Sequence, residues 1–335
     1  MAKRVGKYSV QLEKQINMVG GAAIVGKLEK EGPLGEYFDY ALEDDLWNED
    51  SWEKAETKMF YEATRMAVKN SGLMAEDIQL MMGGDLLNQL IAAGFAARQM
   101  DFPFLGLYGA CSTMAESLIV GSMAIDAGFA QRVACCVTSH FSTAERQYRT
   151  PLELGTQRTP TAQRTVTGAG ASVLAGEGIG PRIKSCTIGK VIDYGVKDAN
   201  NMGAAMAPAA YDTLSAFFQD TGTRPDEYDL ILTGDLGELG HRIVLDLFAQ
   251  QGVELGNRYQ DCGMLLYDRE RQDMHAGASG CGCSASVLNG YLLTQLRRGK
   301  WKRILFAPTG ALLSPTSSFQ GESIPGVCHA LCFQA

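Results

Sequence analysis

The segment YEATRMAVKNSGLMAEDIQLMMGGDL, starting at Tyr61, returns as YDTLSAFFQDTGTRPDEYDLILTGDL, starting at Tyr211. Tyr61 and Tyr211, Gly72 and Gly222, Gly84 and Gly234, Asp85 and Asp235, and Leu86 and Leu236 are each 150 residues apart, with no gap. Each copy reads as an amphipathic helix, a Gly-containing stop, an acidic loop and a short apolar strand ending in Gly-Asp-Leu. Met59, Ala63, Met66 and Ala67 recur at helical spacing in the first copy, and Leu214, Phe217 and Phe218 in the second. A chain that writes the same helix–loop–strand unit twice has to build two like halves and stack them about a pseudo-twofold axis.

The match runs on downstream. Gly106 to Ser139 reads as strand, small-residue turn, nearly all-apolar helix, Gly128 and the strand VACCVTS. In the second half MHAGASGCGCSAS opens a helix through SVLNGYLLTQL, and Arg303 leads the strand ILFAP. Arg132 and Arg303 are 171 apart, and Gly121 and Gly290 are 169 apart, a drift that loop insertions absorb. Strands alternating with helices, each strand apolar enough to be covered on both faces, predict an α/β fold of mixed layers. The halves are expected to divide as 1–178 and 179–335. The turn at Cys111 and the turn at Gly277–Cys283 are then counterparts, with their helix N-termini facing at the centre, where a site would form.

Composition narrows the function classes. The 335 residues are 46% hydrophobic and 20% charged, an ordinary globular balance. No window approaches the roughly 18 apolar residues of a membrane span, and the N-terminus lacks the apolar core of a signal peptide, so a soluble chain is expected. A net charge of −8 argues against nucleic acid as the main partner. Nine cysteines without a CxxC pair or a Cys/His quartet at zinc spacing predict buried reduced thiols and no structural metal. The Gly-rich GAGASVLAGEGIG is not GxGxxG, which weighs against a dinucleotide cofactor. The acidic run from Glu31 to Glu53 reads as a solvated face or a docking surface.

Cys111 stands in GLYGACSTMAESL, where an apolar run gives way to a turn and a helix. Thr113-Met-Ala-Glu116 fits a capping box, so a helix should begin at or just after the cysteine. The free amides and dipole of that end favour a thiolate, lowering its pKa below about 8.5, and the amides suit an oxyanion hole. Equally, the position suits a small thiol packed at a tight turn, or one that lines a pocket and touches a ligand.

The duplicated pattern, the GACS turn and His275-Ala-Gly-Ala-Ser-Gly280 resemble the thiolase and ketoacyl-synthase superfamily over nearly the whole chain. Thr167 to Leu174 and Ala307-Pro-Thr-Gly310 fall where that superfamily places a closing strand and a last Gly-rich loop. The resemblance implies a thiolase-like fold, with two duplicated α-β-α halves forming a five-layered α-β-α-β-α structure, and a homodimer. Closer still, CCVTSHFSTAERQYRTPLELGTQRTPTAQRTVTGAGASVLA resembles the stage V sporulation protein AD family of spore-forming bacteria. That resemblance implies binding of dipicolinic acid (pyridine-2,6-dicarboxylate), free or calcium-bound, without turnover and without a cofactor. It further implies support of uptake into the developing spore, alongside sporulation membrane proteins and peripheral to the inner (forespore) membrane.

Condensing enzymes need a proton-handling partner for the thiol. The histidines here are His140, His241, His275 and His329. Where ketoacyl synthases place their first catalytic His, LILTGDLGELGHRI offers Asp235, which would repel a malonyl carboxylate; His241 falls on the next helix, at a surface position. His275 matches the thiolase His, with one residue fewer before GASG. Cys111 and His275 are therefore expected as vestiges of catalysis, the alternative being an active acyltransferase with Cys111 as acyl acceptor.

A planar dianion calls for bidentate donors, which Arg supplies. Arg146, Arg149, Arg158 and Arg164 follow Ser139, opposed by Glu145 and Glu153. Arg149 and Arg164 sit beside small or hydroxylic residues. The expected ligand set is Cys111, His140, Arg149, Arg164, Asp235 and His275, with no metal held by the protein alone. If calcium enters with the ligand, Asp85 and Asp235 are candidates to face it, or else serve as turn formers after their glycines.

Overall fold

Both copies of the repeated helix are bounded by the same local chemistry. Ser51 accepts a hydrogen bond from the Lys54 amide and starts helix α1, Trp52–Ser71, which ends on Gly72 in the left-handed region (φ 75°). In the second copy Asn201 accepts from the Ala204 amide, and the helix Met202–Thr221 ends on Gly222 (φ 65°). The repeated glycine is thus a repeated C-cap. The computed structural model describes residues 2–148 and 158–335.

In chain order the main strands are β1 (Ser9–Val25), β2 (Leu80–Gly84), β3 (Phe104–Gly106), β4 (Arg132–Ser139), β5 (Gln163–Thr165), β6 (Gly168–Ala175) and β7 (Arg182–Ile188). The second half adds β8 (Leu230–Thr233), β9 (Tyr259–Asp261), β10 (Gly277–Ser279), β11 (Arg303–Ala307), β12 (Thr309–Ala311) and β13 (Gly326–Gln334). The other main helices are α2 (Ile91–Met100), α3 (Thr113–Asp126), α4 (Phe141–Tyr148), α5 (Met202–Thr221), α6 (Gly237–Gln250) and α7 (Cys281–Ser286), which runs on through a π turn, Val287–Leu292, to Arg297.

The strands line up as β9–β8–β11–β13–β7–β1–β6–β4–β2–β3. From the antiparallel β7/β1 pair outward the two sides repeat: two further antiparallel pairings, then two parallel ones. The strands at offset 150, β2 and β8, hold equivalent places.

Three apolar clusters separate five layers. Phe60, Ala63 and Met81 join α1 and α2 to the first sheet region; Phe217, Ile231 and Leu305 join α5 and α6 to the second. Between them Leu118 and Ile119 of α3 and Leu288 after α7 pack on Val133, Ile304 and Phe306. This is the expected α/β architecture. All nine cysteines are free and buried, and no helix among the described residues is long and apolar enough to cross a membrane.

The central layer is tight because backbone meets backbone. A Cβ on Gly170 of β6 would lie 2.2 Å from the carbonyl oxygen of Ala285 in α7, which belongs to the other half. Gly170→Ala should therefore cost about 1–3 kcal/mol. Gly94→Ala, in open space on α2, should be neutral or stabilising by up to about 1 kcal/mol. Urea midpoints compare the two; equal midpoints would show that the halves are not held by this contact.

Candidate functional site

The cysteine stands on a strained elbow. Between β3 and α3, Ala110 takes φ 49°, which costs a residue bearing a Cβ. The expected capping box is replaced by shorter-range bonds. Ser112 Oγ donates to the Gly109 carbonyl (2.7 Å), and Thr113 Oγ1 donates to that of Ala110 (2.6 Å) while accepting from the Gly109 amide (3.0 Å). Glu116 leaves one buried carboxyl oxygen without a hydrogen-bond partner instead of reaching back to a cap. The counterpart turn closes on this elbow as expected: Ser284 Oγ of α7 donates to the Cys111 carbonyl (3.5 Å). On β12, a Cβ at Gly310 would meet the Gly109 carbonyl oxygen at 2.3 Å and lie 3.3 Å from the Cys111 amide. Only glycine fits there.

The thiol faces a carboxyl group, not an imidazole. Cys111 donates its S–H to Asp235, whose Oδ2 also accepts from Ser279 Oγ (3.0 Å) and the Gly280 amide (3.0 Å). Asp235 Oδ1 accepts from Thr309 Oγ1 (3.1 Å). Behind it Asp261 accepts from the amides of Leu236 and Gly237, both at 3.0 Å, at the start of α6. Burial pushes the Asp235 carboxyl up to about 7, opposed by the Cys111 hydrogen bond and reinforced by Asp261. Burial, then the Asp235 and Cys281 charges, push the Cys111 thiol well above the ordinary range. The helix end does not win: the expected lowering is reversed, because desolvation disfavours the anion and a carboxylate sits beside it.

A cavity of about 50 Å³ opens beside Cys111. Its polar lining is Tyr108, Glu145, Tyr148, Thr165 and Ser279, with Leu86, Met202 and Leu313 among the apolar walls. Tyr108 and Tyr148 share a hydroxyl–hydroxyl bond of 2.9 Å, and Tyr148 also donates to the Leu86 carbonyl. No Arg, Lys or His lines the cavity among the described residues.

Of the residues expected at the site, the fold brings Cys111 and Asp235 together and directs others elsewhere. Arg164 is neighbour to Thr165 in β5, so alternation turns it away from the cavity. It stacks on Phe141 at 3.7 Å. His140 is fully buried, with Nε2 at 2.8 Å from the Asp45 carbonyl and Nδ1 accepting from the Ser142 amide. His275 has φ 47° and binds the Thr159 carbonyl through Nδ1 (2.6 Å), with Nε2 3.2 Å from Asp273. The extended run of β10 carries the chain from it to the cavity at Ser279. Arg149 lies outside the described residues. Arg146 pairs with Glu53, and Arg158 with Asp273 at 3.3 Å. Both oxygens of Asp85 accept backbone amides, from Leu87 (2.8 Å) and Ala93 (2.7 Å), so it is a turn former and not a metal ligand. His241 is half-buried on α6, stacked on Tyr259 at 4.4 Å. His329 lies in β13 and accepts from the Gly189 amide. Sequence reasoning missed Tyr108, Glu145 and Tyr148; Ser279 stood inside the quoted HAGASG motif, and Thr165 beside the wrong candidate.

Asp235 has a consequence for stability. Its folded value near 7 exceeds its ordinary 3.8, so its stabilising contribution is complete below about pH 4 and lost as pH rises through 7. The stability of the wild type relative to Asp235→Asn should fall between pH 4 and 8, by on the order of 4 kcal/mol at most. Urea unfolding across that range measures it; a difference that does not change with pH would mean an unperturbed carboxyl.

Comparison with known proteins gives the family and the fold. The family model described as Stage V sporulation protein AD matches residues 6–334. Stage V sporulation protein AD of Bacillus subtilis (strain 168) is 43% identical over 332 residues, covering 99% of this chain and 98% of that protein. Among solved structures, human mitochondrial 3-ketoacyl-CoA thiolase is 14% identical with a TM-score of 0.63, covering 97% of this chain and 99% of its own. A single-residue variant of OleA from Xanthomonas campestris gives 0.67 at 14% identity, covering 97% and 98%. The 3-oxoacyl-[acyl-carrier-protein] synthase III of Aquifex aeolicus VF5 gives 0.58 at 14% identity, covering 96% and 100%. These likenesses establish the thiolase-like fold. The chain belongs to the stage V sporulation protein AD family.

Proposed function

We propose that the chain binds dipicolinic acid, free or as its calcium chelate, in the cavity beside Cys111 and supports its uptake into the developing spore without turning it over. The observation that carries the non-catalytic part is the thiol–carboxyl pair. A thiol pushed well above its ordinary range beside Asp235 has no imidazole in the described lining to take its proton, and the charge of an ionised Asp235 disfavours the thiolate that a nucleophile needs. The ligand's identity rests on the family resemblance.

The lining favours the chelate over the bare dianion. Asp235 brings a carboxyl group up to the thiol at the cavity wall, and no Arg, Lys or His stands in the described lining. Calcium cancels the ligand's two charges and takes 6–8 donors, of which dipicolinate, through two carboxylate oxygens and its ring nitrogen, fills only a part. Tyr108 and Tyr148 offer oxygens for the remainder. At about 50 Å³ the cavity has to widen to admit the ligand, and the tyrosine pair at its edge is the element that would part. The same reading makes the chain a homodimer working peripherally at the forespore membrane with sporulation membrane proteins. It is supported by the outer edge of β3, which has no strand partner among the described residues and is flanked by exposed Phe95 and Leu105.

One observation favours the rival acyltransferase: the Cys111 amide and Gly310 still meet at a strained elbow, a geometry suited to an oxyanion hole. Calorimetry with dipicolinate, with and without equimolar calcium, tests the binding reading. Heat is expected for the wild type, and Tyr148→Phe and Ser279→Ala should each weaken binding about tenfold. No heat with either form of the ligand would sink it. Mass spectrometry after incubation with acyl-CoA should find Cys111 unmodified, and a stable adduct there would favour the enzyme.

A further inference from the structure

The end of the sheet away from the cavity is built differently from the rest of this acidic chain. Arg303, Gln334, Arg182, Asn17, Ala175 and Arg132 stand in register across β11, β13, β7, β1, β6 and β4. Asp235 lies beyond the opposite end, two residues past Thr233, which is level with Ala307. Three turns close the Arg303–Arg132 end: 127–131 before β4, 176–181 between β6 and β7, and 298–302 before β11.

The first two turns hold apolar side chains out in solvent. Phe129 is 87% exposed and Ile179 is 96% exposed. Each follows a left-handed glycine, Gly128 (φ 83°) and Gly178 (φ 100°), that makes its turn tight. The third turn belongs to the run Arg297-Arg298-Gly299-Lys300-Trp301-Lys302-Arg303. Asp77 and Glu227 neutralise Arg132 and Arg303 at 3.2 and 3.4 Å, but Arg298, Lys300 and Lys302 form no ion pair among the described residues. Lys300 lies over the Trp301 ring at 4.8 Å and donates to the Tyr291 hydroxyl (3.2 Å). An open groove of about 890 Å³ at this end is lined by Lys14, Arg132 and Arg297 against a single carboxylate, Glu177, with Ile179 at its rim.

We propose that this end is a docking face for an anionic lipid bilayer, which leaves the Cys111 cavity on the opposite end of the strands. Charge complementarity selects the partner: in a chain of net charge −8, a local cluster of unpaired cations faces headgroup phosphates. The apolar tips select a bilayer over a soluble polyanion. Phe129 and Ile179 enter the boundary between headgroups and acyl chains, and Trp301 and Tyr291 suit the headgroup level. The inference rests on the reading that the chain works at a membrane, and it is independent of what the cavity binds.

Flotation of the full chain with phosphatidylcholine vesicles, with and without phosphatidylglycerol, tests it. Binding is expected only with phosphatidylglycerol and should fall as salt is raised. The double variants Arg298→Glu/Lys300→Glu and Phe129→Ser/Ile179→Ser should each weaken it tenfold or more. No binding to phosphatidylglycerol vesicles overturns the proposal, as does unchanged binding by both double variants. If single-stranded RNA displaces the vesicles and the Phe129→Ser/Ile179→Ser variant binds normally, the face is a polyanion site and the proposal fails. Dipicolinate calorimetry on the same variants should match the wild type, which separates failure of the docking face from failure of the ligand reading.

Discussion

Backbone-to-backbone contact between the two halves is the constraint from which the rest of the molecule follows. Gly170 against the Ala285 carbonyl, Gly282 against the Gly168 carbonyl and Gly310 against the Gly109 carbonyl leave no room for a Cβ. Each contact joins a residue of the first half to one of the second. They let α3 and α7 lie between the sheets and bring the heads of both helices to one point. Interiors this close-packed hold few voids, which is why the cavity beside Cys111 is small and why its polar groups have little water to share.

Burial then decides the chemistry. Removed from water, Asp235 holds its proton up to about pH 7, and Cys111 holds its own well beyond the ordinary thiol range. In water a helix N-terminus favours a thiolate, but its effect is worth about 0.3–1 kcal/mol at an exposed site. Desolvation of a buried anion can shift a pKa by several units, so the larger effect prevails. The pair beside the cavity is thereby a protonated thiol against a carboxyl group, with the Tyr108 and Tyr148 hydroxyls in the adjoining lining.

Much of this was legible in the chain. The 150-residue offset predicted both C-capping glycines and the equivalent strands β2 and β8, because caps and apolar strands are local devices with local signatures. Asp235 was found because it closes a repeated unit, and Cys111 because it stands where an apolar run gives way to a turn and a helix. The Arg and His candidates were chosen by residue type in a segment near the site, and type does not fix direction. One step along β5 separates Thr165, in the cavity, from Arg164, stacked on Phe141. His275 was carried by motif, yet it spends its ring on Thr159 and Asp273. Tyr108 and Tyr148, 40 residues apart, carry no shared pattern and meet only in space.

The sequence by itself determined the doubled α/β fold and the buried reduced thiols, since helix and strand periodicity, capping glycines and composition act within a few residues of where they are read. Tertiary structure alone decided that the Cys111 thiol faces a carboxyl, which side of β5 meets the cavity, and that cations and apolar tips gather at the far end. Each of these depends on contacts between distant segments, and on the dielectric that packing creates around them.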